Sequence, residues 1–247
     1  MSRSALRATL RPLVPEWIRS RLRDRRRRRR VDLGDLRRVT PVSRWFGHDR
    51  GQPIDRYYIE RFLHAHAADV RGRVLEIGDD AYTRQFGGPA VTRRDVLHVT
   101  PGSPKATIIG DLAEGTGIPS DAFDCIILTQ TLQLIYDVPA ALRVLRRALA
   151  PGGVLLATVP GISQIDRGEW GGSWYWFFTP LAMRRLFEDH FGAGGVSVEC
   201  HGNVLSAIAF LEGLAVHELR PRELDAQDDC YPVTVAVRAV KASAETA

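Results

Sequence analysis

The feature that most constrains the fold of this 247-residue chain is an apolar strand that runs directly into an acidic, glycine-broken turn. The segment reads VLEIGDDAYT over residues 74–83. A turn of this form, at the end of a buried strand, is where many α/β proteins hold a nucleoside-bearing cofactor. A dinucleotide-binding turn, however, offers bare backbone N–H groups to a pyrophosphate. Asp79 and Asp80 would repel that pyrophosphate, so this turn disfavours a dinucleotide.

Carboxylates at this turn suit a cofactor that carries positive charge. S-adenosylmethionine has an ammonium and a sulfonium but no phosphate, and Glu76, Asp79 and Asp80 would attract its cationic groups. The turn therefore predicts a methyl-donor site. The alternative is structural: Glu76 would cap a helix or end a strand, and the two aspartates would shape the turn.

Bulk composition predicts one soluble catalytic domain, because 45% hydrophobic and 26% charged residues are ordinary for a globular protein. No apolar stretch approaches the roughly 20 residues that cross a bilayer, and the N-terminus lacks the apolar block of a secretory signal. A cytoplasmic location is expected, with peripheral membrane attachment as an option. Cys125, Cys200 and Cys230 are odd in number and form no C-x-x-C pair, so we expect reduced, buried thiols and no metal site.

The formal net charge of +5 comes from one end of the chain. Twelve arginines against two acids give residues 1–30 a formal +10, which leaves −5 on the remainder and argues against nucleic acid as a partner. Apolar residues recur there every three or four positions. This spacing predicts a basic arm over residues 1–38 that docks on an anionic membrane surface or a partner protein, or that stays partly disordered because of its prolines and arginine run.

Residues 39–247 show the alternation of an α/β domain. Apolar runs predict strands at 74–77, 96–99, 106–109, 125–128, 154–159, 196–199 and 233–240. Helices are expected at 55–67, at 139–149 and from Thr179 onward, and residues 204–215 are apolar enough for a packed helix or a partner surface. Alternating strands and helices indicate a mostly parallel sheet that is covered on both faces.

Several of these motifs resemble the class I S-adenosylmethionine-dependent methyltransferases, chiefly over residues 54–160. The likeness lies in VLEIG at 74–78, GDL at 110–112, FDCIIL at 123–128 with QTL at 130–132, and LAPGGVL at 149–155. It implies a Rossmann-like, mostly parallel seven-stranded sheet with an antiparallel last strand and helices on both faces. S-adenosylmethionine would lie across the carboxyl ends of the strands.

The resemblance also assigns cofactor contacts. Glu76 would orient the methionine ammonium, and Gly78 would let the cofactor approach the backbone. Asp111 and Leu112 would meet the adenine, and Gln130 would border the methionine end.

Two cofactor-site positions depart from the family pattern. Asp80 stands where the family has a small glycine, and Thr100 stands where it has the acid that grips the ribose hydroxyls. Losing one charged hydrogen-bond partner costs about 1.5–3 kcal/mol, against roughly 8 kcal/mol for a micromolar ligand. We therefore expect cofactor binding to be weakened and not abolished, although a non-catalytic relative would show the same departures.

Methyl transfer to a hydroxyl needs a base. His48, Asp55 and Glu169 are the candidates, with Asp49 and Asp166 as further acids. His48 is favoured because an unperturbed imidazole titrates near neutrality, and its structural alternative is a plain surface histidine.

Aromatic residues point to the acceptor. Trp170 and Trp174 lie in the loop WGGSWYWFF at 170–178, a region that borders the acceptor pocket in the family, although such rings also form hydrophobic plugs. Together with Tyr57 and Tyr58, this loop resembles a subset of the family associated with glycosyltransferases and polysaccharide assembly. The resemblance implies O-methylation of a glycan or small natural product. The alternatives are a non-catalytic partner of a glycan-building enzyme and a nucleic-acid methyltransferase that uses the basic arm.

Overall fold

The computed structural model of this chain describes Glu16, Arg21, residues 32–168 and residues 170–243. It divides into two compact units, Met1–Thr40 and Pro41–Ala247. The described part of the first unit contains a 3-10 turn at Gly34–Leu36, where the Gly34 N–H donates to Asp32. The predicted apolar stripe of the basic arm lies outside the described residues.

The second unit is built on a seven-stranded sheet with the order β3-β2-β1-β4-β5-β7-β6. Strands β1 to β5 pair in parallel, and β7 runs antiparallel to both β5 and β6. The fold class predicted from the sequence is confirmed. The strands are β1 (Gly72–Ile77), β2 (Val91–His98), β3 (Ile108–Ile109), β4 (Phe123–Thr129), β5 (Leu149–Pro160), β6 (Val196–His201) and β7 (Thr234–Val240).

The bounds of three strands differ clearly from the sequence prediction, and β5 begins at Leu149 instead of at Val154. Strand β2 begins at Val91 and ends at His98, so exposed Val99 already belongs to the loop that follows. Strand β3 keeps only Ile108 and Ile109, which pair with the last two residues of β2. The prediction at β2 placed the start too late because Arg93 and Arg94 are polar strand residues that an apolar run does not reveal.

Helices cover both faces of the sheet, as predicted. The described helices are α1 (Ile54–Ala65), α2 (Ala81–Phe86), α3 (Val138–Ala148), α4 (Pro180–Phe191), α5 (Val204–Leu211) and α6 (Pro221–Asp225). Helix α1 packs Ile59, Phe62 and Leu63 on one face, whereas α3 and α4 pack on the other. Side-chain caps fix where α3 and α4 begin. Asp137 accepts from the Ala140 N–H at the start of α3, and Thr179 accepts from the Ala182 N–H at the start of α4.

An insertion between β6 and β7 carries α5, a 3-10 turn at Val216–Glu218, and α6. Asn203 caps α5, and its amide donates 2.7 Å bonds to the carbonyls of Glu223 and Ala226, which ties α5 to α6. The insertion packs against the first half of α1. The segment before α1 joins it, because the Val42 and Ser43 N–H groups donate to the Glu212 carbonyl. Both segments therefore fix the position of the start of α1.

The cysteine prediction needs correction. Cys125 is buried, but Cys200 is partly exposed and Cys230 is exposed, and all three are free thiols. Burial raises the pKa of the Cys125 thiol, so this group is inert at neutral pH. Among the described helices, none combines the length and apolar character that crossing a membrane requires.

Candidate functional site

The glycine turn after β1 lies at the carboxyl edge of the sheet, where the strand order reverses between β1 and β4. Gly78 adopts a φ of +87°, and a Cβ there would meet no atom within 4 Å. Its N–H donates to the Leu97 carbonyl, and its own carbonyl lies 2.6 Å from Nε2 of His98. The backbone at Gly78 is therefore left-handed and hydrogen-bonded to β2, and the position of a Cβ faces open space. His98 is a site residue that the sequence analysis missed.

Glu76 is buried at the end of β1, and its carboxylate faces the start of α2. Oε1 accepts from the Tyr82 N–H at 3.1 Å, and Oε2 accepts from the N–H and hydroxyl of Thr83 at 2.8 and 2.7 Å. Burial raises the pKa of Glu76, and the hydrogen bonds from Thr83 and Tyr82 act in the opposite direction. The carboxylate thus holds a helix N-terminus, and its contact with a ligand ammonium stays a prediction.

The two aspartates of the turn are paired with cations of the protein. Asp79 accepts from the Ala81 N–H and lies 3.5 Å from Lys105. Asp80 lies 2.8 Å from Arg84 and 3.3 Å from Arg94. Its φ is −115°, so the backbone at this position is not left-handed. These pairs reduce the negative charge that the sequence predicted at the mouth of the site.

The predicted adenosine contacts occupy the ends of β2 and β3. Thr100 is exposed and lies two residues beyond the end of β2. Asp111 uses Oδ1 to accept from the N–H groups of Ala113 and Glu114, at 2.6 and 3.4 Å. Leu112 is buried in the main core. The edge therefore presents the carboxyl group of Asp111, although part of its hydrogen-bonding capacity serves its own turn.

Polar side chains gather where β4 ends. Gln130 has a φ of +47°, and Gln133 donates to its carbonyl at 2.9 Å. Gln133 is buried, yet among the described residues its Oε1 has no hydrogen-bond partner, and neither does the buried hydroxyl of Thr158 on the neighbouring strand. Buried polar groups are normally satisfied. These free atoms fit a site that a ligand or water completes, and Gln133 and Thr158 were not foreseen.

Two of the three predicted bases come close together at the start of α1. Asp55 is partly buried, and desolvation raises its pKa, against the opposing influence of Arg56 and of nearby His48. His48 itself is exposed. The third candidate, Glu169, lies outside the described residues. The further acids serve local structure, because Asp49 accepts from the Ser43 hydroxyl and Asp166 accepts from the Gly168 N–H.

Arg56 stands beside Asp55, and the sequence analysis did not single it out. Its guanidinium donates to the Tyr82 hydroxyl at 3.3 Å, the one hydrogen bond of this side chain within the described part of the chain. Burial lowers the pKa of Arg56, but Asp55 and Tyr82 outweigh burial, and the net pKa is raised. A guanidinium has five donor hydrogens. Arg56 therefore offers unused donors beside the turn that follows β1.

The predicted acceptor tryptophans lie in different environments. Trp174 is partly buried and stacks on Phe46 with ring centroids 6.1 Å apart, and its indole N–H is buried without a partner. Trp170 is exposed. A second group of rings, Tyr136, Tyr175 and Trp176, is also exposed, and Trp176 donates its indole N–H to the Ile135 carbonyl just after β4. The exposed rings extend the site surface beyond the two predicted ones.

Tyr58 is not an acceptor contact, and this prediction is corrected. Its ring is fully buried, stacks on His201, and donates its hydroxyl to the Leu224 carbonyl at 3.0 Å. The position faces inward because it belongs to the helix stripe that packs on the insertion. Tyr57 donates to Asp225 at 2.6 Å, so its hydroxyl faces α6.

The sheet order, the antiparallel β7 and the open turn at the switch point define a Rossmann-like fold of the kind that binds nucleoside cofactors. The model of a family described as a methyltransferase domain matches residues 48–191, more than half of the chain. The protein belongs to this methyltransferase domain family.

Solved structures agree with the family. A SAM-dependent methyltransferase from Archaeoglobus fulgidus is 12% identical with a TM-score of 0.50, over 75% of this chain and 94% of that chain. An S-adenosylmethionine-dependent methyltransferase from Mesorhizobium loti is 17% identical with a TM-score of 0.50, over 76% of this chain and 98% of that chain. A search of curated proteins gave no match. The predicted methyltransferase class is confirmed, and fold and family support S-adenosylmethionine as the cofactor.

Proposed function

We propose that this protein transfers a methyl group from S-adenosylmethionine to a hydroxyl oxygen of a glycan or small natural product. The bound cofactor supplies a methyl carbon that its sulfonium already activates. The chain must then align the acceptor, exclude water and accept the hydroxyl proton. The observation that carries the proposal is the left-handed, open turn at Gly78, which lies at the carboxyl edge of the sheet where the strand order reverses.

The residues at the turn fit the cofactor. Gly78 provides a left-handed backbone in front of open space, so a ligand can approach the main chain. Arg56 would bind the carboxylate of the methionine moiety, because its guanidinium donates only to Tyr82 among the residues that the structure describes. Asp111 would accept from the adenine amino group.

The proton would pass to Asp55. A carboxylate is a stronger base when its pKa lies closer to the working pH, and desolvation moves Asp55 in that direction. His48 is exposed and interacts electrostatically with Asp55. In this proposal His48 would pass the proton on from Asp55 to solvent.

The exposed rings support the proposed acceptor class. Trp170, Tyr136 and Tyr175 present apolar faces to solvent, and such faces stack on the apolar face of a sugar ring or on a planar acceptor. Combined with the sequence resemblance to glycan-associated relatives, this surface favours a sugar hydroxyl.

Calorimetric titration tests the cofactor part of the proposal. The wild-type protein should bind S-adenosylhomocysteine saturably, and Arg56→Gln should weaken that affinity about 10- to 100-fold, the range for one charged hydrogen-bond partner. Methylthioadenosine lacks the carboxylate, so its affinity should not change in this variant. Arg61→Gln is the matched control, because Arg61 lies on the same helix and pairs with Asp225. Absence of heat at millimolar ligand with the wild type would instead identify a non-catalytic relative.

Mass spectrometry tests the acceptor part. Cell extracts incubated with the protein and a deuterium-labelled methyl donor should yield labelled glycans or natural products whose methyl group is on oxygen. Label on nitrogen, or label on nucleic acid, would refute the proposed acceptor while leaving the cofactor assignment intact.

A further inference from the structure

Helix α5 is apolar on both of its faces. Its eight residues, VLSAIAFL, contain no charged side chain. One face packs Ala207, Ala209 and Phe210 into the core formed with α1. The opposite face leaves four aliphatic side chains in solvent, with exposed fractions of 39 to 47%: Val204, Leu205, Ile208 and Leu211. A surface helix normally presents polar residues on that side.

The segment before α1 lies beside the C-terminal end of α5 and carries further exposed apolar side chains. The Val42 and Ser43 N–H groups donate to the Glu212 carbonyl, immediately after α5 ends. Trp45 follows two residues later and is 71% exposed, and Val42 is exposed as well. We call these six side chains the α5 face: Val42, Trp45, Val204, Leu205, Ile208 and Leu211.

The chain that enters the folded domain at this face carries the positive charge of the protein. Residues 1–30 hold a formal +10, and residues 31–40 are the only sequence between them and Pro41. The cationic segment therefore belongs to the same chain as the α5 face, and residues 31–40 join it to the folded domain. An apolar patch with an indole and a neighbouring cationic segment is the combination that holds proteins at an anionic bilayer surface.

We propose that the α5 face inserts into the interfacial region of an anionic lipid bilayer, with the arginine-rich segment supplying the electrostatic attraction. A lipid surface fits better than a second copy of this chain, because a stable protein interface uses about 20–30 residues a side and this face has six. It also suits Trp45, whose amphipathic ring favours the boundary between headgroups and acyl chains. Apolar insertion and charge each give only marginal binding alone, so both are needed.

Vesicle co-sedimentation of the full chain tests this proposal. The protein should bind vesicles of phosphatidylcholine with 30% phosphatidylglycerol at least 10-fold more strongly than vesicles of phosphatidylcholine alone, and raised salt should weaken the binding. The double variant Leu205→Gln with Ile208→Gln should lose at least 10-fold in binding to the anionic vesicles. The control is Leu181→Gln on α4, since Leu181 is 62% exposed and lies outside the α5 face.

Fluorescence provides a second readout. Anionic vesicles should shift the tryptophan emission of the Trp17→Phe variant, which lacks the indole of the arginine-rich segment, to shorter wavelength. Adding Trp45→Phe should remove this shift, and adding Trp170→Phe should keep it. Unchanged thermal melting would show that the double variant remains folded. Equal vesicle binding by the wild type and the double variant would overturn the proposal, and so would a wild-type dimer in sedimentation velocity that the double variant converts to monomer.

Discussion

Glu76 accepts a 2.7 Å hydrogen bond from the Thr83 hydroxyl, and its carboxylate also receives the N–H groups of Tyr82 and Thr83. The acid that ends β1 therefore fastens α2, the helix that leaves the glycine turn. The geometry of the turn depends on this contact, because Glu76 precedes the turn and Thr83 follows it.

Breaking this contact should destabilise the protein. We expect Glu76→Gln to lower the free energy of unfolding by about 1–3 kcal/mol, because buried N–H and hydroxyl donors lose acceptors. Thr83→Val should cost less, since it removes one donor. Urea unfolding of both single variants and of the double variant measures the coupling. Additive effects would show that the two side chains do not act together.

Substitution of Gly78 should affect ligand binding specifically. Gly78→Ala places a Cβ in the open space before the turn and strains a backbone whose φ is +87°. Gly192→Ala is a matched control, because Gly192 has a φ of +78° at the end of α4, and a Cβ added there would also meet no atom within 4 Å. Gly78→Ala should lose about 1–2 kcal/mol of stability, and Gly192→Ala should lose about 1–3 kcal/mol because its ψ of 148° lies outside the left-handed helical region. Only Gly78→Ala should weaken S-adenosylhomocysteine binding in calorimetry.

Asp55→Asn should reduce turnover and raise stability at the same time. Loss of a general base lowers the rate about 10²- to 10⁴-fold. The folded-state pKa of Asp55 is raised by burial, so the stability linked to its proton is complete below the unfolded pKa and is lost as pH rises through the folded pKa. The variant should therefore melt at a higher temperature than the wild type at pH 8 and at the same temperature near pH 3.

The pH profile of the wild-type rate checks the same assignment. The rate should rise as Asp55 deprotonates, and the Asn variant should lack that limb of the profile. If Asp55→Asn keeps the full rate and His48→Gln is inactive, His48 and not Asp55 is the general base.

Acid stability should depend on the pair formed by Asp69 and Arg238. Arg238 donates two hydrogen bonds to Asp69, at 2.8 and 2.9 Å, and these bonds lower the pKa of Asp69 despite partial burial. A lowered pKa contributes stability above the unfolded value, and this contribution is lost as pH falls through the folded value. Asp69→Asn should therefore be less stable than the wild type at pH 7, and urea unfolding should show the difference shrinking towards pH 3.

The sheet was largely predictable from the sequence, because buried parallel strands are apolar runs and their helices carry a period of 3.6 residues. Strands β1 and β4 follow those runs closely. Helix α2 was not predicted as an element because its six residues are too few for a period to show.

The site was less predictable, since side-chain partners distant in sequence decide what each polar group does. Asp80 is neutralised by Arg94, which lies on the next strand. Tyr58 donates its hydroxyl to the carbonyl of Leu224, which lies more than 160 residues away. The role proposed for Arg56 depends on its hydrogen bond to Tyr82, which lies 26 residues further along the chain. Local motifs show none of these pairings.

The contacts that hold the start of α1 in place also set an order of events during synthesis. Chains emerge from the ribosome N-terminus first, and contacts between distant segments form late. Pro53 bridges to Ala215, and Arg50 pairs with Glu218, so the helix that bears Asp55 is secured only after most of the polypeptide has been translated. A nascent chain can thus complete the strands around the glycine turn well before its proposed proton acceptor is in position.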